Sequence, residues 1–202
     1  MKIALVGASG QAGSRILNEL SQRNHIITAI ARDTAKIASL PGVTAAQGDI
    51  ADPEGLAAVL KGHDVIISSV HFTDFDKDKL IAAVKASGVK RYYVVGGAGS
   101  LEVAPGVPLN ATPEFPAAVK PESEGGARYL EALKAEEDLN WTYLSPSALF
   151  VAGERTGRFR LGTDQLLVGP NGSSISFEDY AIALVDEIEA PRHERRRFTV
   201  GY

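Results

Sequence analysis

The 202-residue chain contains no cysteine. That excludes disulfide bonds, thiolate catalysis and a cysteine-ligated metal, and no metal site is expected. It has no apolar run near the roughly 20 residues needed to span a bilayer, so no membrane partner is expected. It has no excess of positive charge: 21 Lys and Arg stand against 25 Asp and Glu, for a net charge of −4. Such a balance gives no electrostatic footprint for direct nucleic-acid binding. Internal repeats, low-complexity segments and flexible linkers are also missing. Met1-Lys2-Ile3 leads directly into a strand, so a cleavable signal is not expected and the cytoplasm is the default location. With 45% hydrophobic and 23% charged residues, the composition is that of an ordinary globular domain able to bury a substantial core.

What the chain does have, at its start, is a short apolar run followed by three evenly spaced glycines. Residues 3–6 read as a buried parallel strand, and Gly7, Gly10 and Gly13 lead from it into a helical pattern carried by Ile16, Leu17 and Leu20. Gly7 permits a tight turn, Gly10 lets the backbone approach a pyrophosphate, and Gly13 lets the helix lie close to the strand. Amides around the helix start, from Ser9 and Gly10 through Gln11, Ala12 and Gly13, suit phosphate at the positive end of the helix dipole. A second strand from Ile26 supplies the context that separates a dinucleotide loop from an ordinary turn.

Strands and helices then alternate nearly to the end. Further strands are expected at 26–31, 43–47, 65–69, 89–95 and 141–144, with a last one at 197–201. Helices are expected from Asp33-Thr34 to near Leu40, from an Asp52 cap to about Lys61, over 76–87 and 122–138, and from a Ser176 cap to about Ala190. This order implies right-handed crossovers. The expected fold is therefore a single α/β domain over 1–202: a doubly wound Rossmann-type parallel sheet with helices on both faces. Two stretches depart from the pattern. Residues 96–120, with Pro105, Pro108, Pro113 and Pro116, read as a long loop, either a substrate-side flap or a proline-stiffened excursion. Residues of about 150–175 read as a small substrate-side extension, β-rich over 154–168, with a hairpin turn near Gly162.

Open α/β sheets bind ligands beyond the carboxyl ends of their strands. Arg32 is the first charged group after the second strand. A guanidinium there suits a 2′-phosphate by paired charge-assisted bonds and can stack on adenine, which favours NADP(H) over NAD(H). Asp33 could serve the ribose of NAD, but Asp33-Thr34-Ala35-Lys36 reads more strongly as a helix cap. Asp49 and Ile50 follow the third strand, where a solvated turn aspartate is the bland alternative. Ser68, Ser69, Val70 and His71 end the fourth strand, Gly97 and Ser100 follow the fifth, and Pro146, Ser147 and Ala148 follow the sixth. His71 and Ser100 are the catalytic candidates. A loop histidine can exchange a proton, and a loop hydroxyl can bind a substrate carbonyl, although each more often serves its own loop.

The spacing Gly-x-x-Gly-x-x-Gly resembles that of extended and atypical short-chain dehydrogenases/reductases. Val95-Gly96-Gly97-Ala98-Gly99-Ser100-Leu101, Trp141-Thr142-Tyr143-Leu144-Ser145-Pro146-Ser147, Gly153-Glu154-Arg155-Thr156-Gly157 and Arg197-Phe198-Thr199-Val200-Gly201-Tyr202 narrow the match. Together they resemble the NmrA-like and biliverdin-reductase-B-like NADH-flavin reductase group, over essentially the whole chain. The resemblance implies an NAD(P)H-dependent oxidoreductase in which Asp49 meets the adenine amino group and Ile50 packs on its ring. It specifies fold and cofactor class more than substrate.

The short-chain mechanism pairs a tyrosine with a lysine four residues later, which lowers the phenol's pKa. Here Tyr129 is followed at that spacing by Leu133. Lys134 lies one position, about 100°, further round the helix. By alignment the family's tyrosine falls near Pro121 or Glu122, and Tyr92 and Tyr93 read as packing residues. An ordinary alcohol dehydrogenase therefore loses support. An oxidised flavin or quinone, already a good hydride acceptor, needs only stacking and orientation. The first reading is thus a reductase of a planar acceptor, with FMN or FAD as a possible substrate, Val70, His71, Phe72, the Gly97-to-Ser100 turn and Pro146, Ser147 and Ala148 as candidate walls, and Phe115 and Phe150 as candidate covers. The second is a non-catalytic NADP(H) sensor acting through a protein partner. A sugar-nucleotide epimerase is disfavoured, because no sizeable substrate domain remains. A monomer or a homodimer is expected.

Overall fold

The computed structural model describes residues 1–73 and 75–202. The elements in chain order are β1 (Lys2–Val6), α1 (Gln11–Gln22), β2 (Ile26–Ala31), β3 (Val43–Gln47), α2 (Pro53–Leu60), β4 (Val65–Ser68), α3 (Lys77–Ala86) and β5 (Arg91–Val95). They continue with β6 (Glu102–Ala104), β7 (Val107–Pro108), α4 (Lys120–Lys134), β8 (Asn140–Pro146), β9 (Leu149–Val151), β10 (Arg160–Gly162), β11 (Ser174–Ser176), α5 (Phe177–Glu189) and β12 (Arg196–Gly201). The main sheet has eight strands in the order β10-β12-β8-β5-β4-β1-β2-β3. Every pairing in it is parallel except β10 against β12. This is a Rossmann-type α/β fold.

The sheet separates two cores, and the period of two along its strands assigns residues to them. Ile3 and Leu5 of β1, Tyr93 and Val95 of β5 and Leu144 of β8 face α1 and α5, meeting Ile16, Leu17, Leu20, Tyr180 and Leu184. Ala4 and Val6, Tyr92 and Val94, and Trp141 and Tyr143 face α2, α3 and α4. Ile16, Leu17 and Leu20 are wholly buried; each such side chain contributes about 1.5–3 kcal/mol from area removed from water. The caps hold as the sequence reads them. Asp52 Oδ1 accepts from the Gly55 amide at 3.0 Å, and Ser176 Oγ accepts from the Asp179 amide at 3.0 Å.

Three local expectations are corrected. The helix expected from 33 to 40 is a single 3₁₀ turn, Thr34–Lys36. Only Ile37 and Leu40 pack against the core there, too little apolar contact to hold a longer helix. The loop over 96–120 is not structureless. It holds the β6–β7 hairpin and two 3₁₀ turns, Leu109–Ala111 and Ala117–Val119. Nor is there a hairpin folding 154–168 upon itself: β10 joins the sheet edge beside β12, and the chain then leaves to meet β6, where the Glu102 amide donates to Asp164 O and the Leu166 amide to Glu102 O, each at 2.9 Å. No helix among the described residues is long and apolar enough to cross a membrane.

Candidate functional site

The three glycines between β1 and α1 do different work. Gly7 has φ +83°, and a Cβ there would lie 2.0 Å from Ser69 O. At Gly13 a Cβ would lie 2.1 Å from Gly7 O, so any side chain would push α1 off the loop. At Gly10 the nearest atoms to such a Cβ would be Gly7 O at 3.3 Å and Ser69 O at 4.0 Å. A side chain at Gly10 would therefore be tight against the loop, but far less so than at Gly7 or Gly13. Gly10 is also the N-cap of α1, with no side-chain cap and no acidic residue in the first turn. The opening amides of Gln11, Ala12 and Gly13 and the helix dipole thus lack an internal anion, the arrangement that suits an external one.

A cleft of about 430 Å³ begins at this loop. Gly7, Ser9 and Gly10 form one wall, Arg32 and Asp49-Ile50 the far end, and Ser69, Val70 and His71 the wall beyond β4. Phe75, Asp76 and Lys79 close it on the side of α3. Arg32 is exposed, and its guanidinium has no partner among the described residues. Asp33 instead accepts from the Ala35 amide at 3.1 Å, capping its turn. Asp49 Oδ1 accepts from the Ala51 amide at 2.9 Å; its second oxygen has no such bond among the described residues. One end of the cleft therefore offers backbone donors, and the other a cation beside a carboxylate.

Other candidates lie apart from the cleft. Ser68 Oγ is buried 2.7 Å from Tyr92 Oη, turned into the core below α4. The Gly97 amide donates to Tyr143 Oη at 3.0 Å. Pro146 and Ser147 are buried, with Ser147 Oγ donating to Val200 O at 3.0 Å, while the Ala148 amide donates to Ser173 Oγ at 3.0 Å. Ser100 Oγ accepts from Arg197 at 2.9 Å, so its hydroxyl is part of a structural tie. Phe150 packs against Phe177 and Tyr180 at ring distances of 4.5 and 4.7 Å.

The tyrosines are equally committed. Tyr129 Oη lies 2.6 Å from Tyr92 Oη. Burial holds the Tyr129 phenol well above its ordinary pKa and pushes Tyr92 up to about 12. Lys134 lies on the surface, paired with Glu131 at 2.7 Å.

Sequence reasoning missed Glu122, in the first turn of α4. Its Oε1 accepts from the Phe72 amide at 2.8 Å, and its Oε2 from the Thr73 amide at 2.9 Å and the Thr73 hydroxyl at 3.1 Å. His71 Nδ1 lies 3.4 Å from the same carboxylate. No local pattern marks Glu122 itself, but the nearby pair Gly125-Gly126 inside a helix is a costly choice unless something approaches closely. Phe72 does: a Cβ at Gly125 would lie 2.9 Å from its Cβ, and one at Gly126 3.0 Å from its ring.

Comparison with known proteins gives the family and the fold. The profile of a family described as NAD(P)H-binding matches residues 7–191. The uncharacterised protein YwnB of Bacillus subtilis (strain 168) is 39% identical, with 99% of this chain and 98% of that protein covered. A crystal structure described as a "putative NADH-flavin reductase" from Streptococcus pneumoniae TIGR4 is 34% identical with a TM-score of 0.84, over 100% of this chain and 99% of that one. One described as a "putative exported protein" from Burkholderia pseudomallei is 43% identical with a TM-score of 0.90, over 100% of both chains.

Proposed function

Because the chain belongs to the NAD(P)H-binding, oxidoreductase-like family, we propose that it reduces a flat acceptor, a flavin or quinone, at the expense of NADPH, without a tyrosine–lysine pair. The observation that carries this reading is the cleft itself, which reaches from the uncapped start of α1 to Arg32 and Asp49 at its far end and to His71 on the wall beyond β4. Its donors fit a dinucleotide. The space above Gly10 takes a diphosphate, Asp49 and Ile50 take the adenine, and the unpaired Arg32 takes a 2′-phosphate. When bound, reduced nicotinamide supplies a hydride. The chain's own part is to hold and orient: Ser69, Val70 and His71 form the wall against which a planar guest would lie. Buried Tyr129 and surface Lys134 support a mechanism that does not use them.

Purified protein with NADPH or NADH and FMN, FAD or a small quinone, followed at the nicotinamide absorbance, tests the reading. Turnover supports it. Tight binding of both cofactor forms with no turnover of any acceptor would replace it with a redox sensor that acts through a protein partner. Arg32→Glu is expected to weaken NADPH binding by roughly 10- to 100-fold, the worth of a charge-assisted phosphate contact, and to leave NADH nearly unaffected. Equal loss of both would remove the NADP preference. A cytoplasmic location and a monomer or homodimer belong to the same proposal; fractionation and light scattering check them.

A further inference from the structure

Between the cleft and α4, two ionisable side chains from distant parts of the chain meet. His71 stands on the cleft wall just past β4, with its side chain 80% exposed and Nδ1 3.4 Å from Glu122 Oε1. The same carboxylate accepts the Phe72 and Thr73 amides. The loop carrying His71 is thereby fastened to the first turn of α4. Phe72 adds a second fastening, because its ring fills the space left by Gly125 and Gly126. Other charged groups in the cleft near this wall are Asp76 and Lys79, at and within the start of α3. Among the described residues the ring's one close polar contact is this approach of Nδ1 to Glu122, and His71 is at the same time a lining residue of the cleft.

We propose that His71 is the catalytic proton donor to the reduced acceptor, and that Glu122 is the positioning residue that holds it there. The proposal rests on the reductase reading above and names its proton source. With a quinone, the hydride ends on one carbonyl oxygen and the electron pair leaves the other as an oxyanion. The Nε2–H bond of the His71 imidazolium breaks and an O–H bond forms at that oxygen. The dinucleotide is oxidised by two electrons, the quinone becomes the hydroquinone, and water returns a proton to the imidazole. Glu122 neutralises the imidazolium from the opposite nitrogen, and its bonds to the two amides fix the approach of the ring.

The test compares two acceptors in the full-length protein. A 1,4-naphthoquinone needs a proton to complete its reduction. N-methylphenazinium, a cation, becomes neutral on taking a hydride and needs none. In His71→Gln, kcat with the naphthoquinone should fall roughly 100-fold, at least about tenfold more than kcat with the phenazinium. Nucleotide affinity by calorimetry should change less than about threefold. Glu122→Gln should show the same acceptor bias more weakly. Glu122→Ala should, in the absence of any cofactor, speed amide exchange at Phe72 and Thr73 by about tenfold or more. Equal losses with both acceptors, or no loss with either, would overturn the assignment of His71 while leaving the reductase reading intact. Unchanged amide exchange would overturn the positioning role of Glu122. A wild-type protein that reduces neither acceptor would overturn the reductase reading, and the proton donor with it.

Discussion

The two ends of the site are built from different materials. The nucleotide end is backbone and space: three glycines, an uncapped helix start and an open cleft over β1 to β4. The opposite side is held by charged side chains reaching far along the chain. Arg197, with only 7% of its side chain exposed, binds Ser100 O and Oγ at 3.0 and 2.9 Å and Asp164 Oδ1 at 2.6 Å. Asp179, wholly buried, accepts from the Thr156 and Gly157 amides at 2.8 Å each and from Tyr202 Oη at 2.9 Å. Glu19 of α1 accepts two bonds of 2.9 Å from Arg155. The stretch 153–157 is thus pinned between α1 and α5 by acids from both helices, and Ser100, near the start of the 96–120 segment, is tied to Arg197. The comparison teaches that one end is arranged to receive charge from outside, and the other has already satisfied its charges from within.

Two substitutions in the glycine loop should break the first end in opposite ways. Gly13→Ala places a Cβ against Gly7 O and should cost about 3 kcal/mol of stability in urea denaturation. Gly10→Ala makes only a tight 3.3 Å contact with Gly7 O, so it should cost less than Gly13→Ala, about 1 kcal/mol, yet weaken nucleotide binding at least about tenfold by calorimetry. If both lose stability alike, the division of labour among these glycines is wrong.

On the opposite side, Asp179→Ala removes the shared acceptor of the Thr156 and Gly157 amides and leaves Tyr202 Oη with Ser176 alone. It should cost about 3 kcal/mol, with amide exchange rising over 153–157 before it rises in β1. Arg197→Met should cost less, about 1–2 kcal/mol, and should loosen 100–108 together with 163–167 while leaving nucleotide affinity unchanged. Loosening of only one of these segments would show that they are not tied as a pair.

The smallest effect is with pH. Burial would raise the Glu19 pKa, but the bonds from Arg155 and Arg23 outweigh it and hold the carboxyl below its ordinary value of 4.5. A depressed folded-state pKa means that the unfolded chain takes up the proton first. The contribution of Glu19 is therefore complete above the ordinary carboxylate range and is lost as pH falls from about 4.5 through the lower folded value. Glu19→Gln should flatten that acid limb in stability measured between pH 6 and 3. An unchanged limb would assign it to other carboxylates.

The same contrast explains what could be read from the residues alone. A strand, a glycine turn and a helix within fifteen positions carry their own signals, as do the caps at Asp52 and Ser176. Arg32 and Asp49 followed because a strand's end is a place the topology fixes. The partner of Ser100 could not be read, since Arg197 is 97 positions away. Nor could that of residues 163–167, which pair with β6. Glu122 was noted only as the position where a relative's tyrosine falls. Its bond to the loop after β4 spans 50 residues, and no local pattern announces it.

One strand has a bearing on how the molecule comes to exist. β10 reaches the main sheet only through β12, and Arg197, which joins the two flanking loops, is carried on β12 as well. During synthesis, β1 to β5 can assemble as they emerge, since each finds a neighbour already made. Everything outward of β8 must wait for residues 196–201. Until that last strand arrives, β8 is an unpaired edge of the main sheet, open to whatever else in the cell can pair with it.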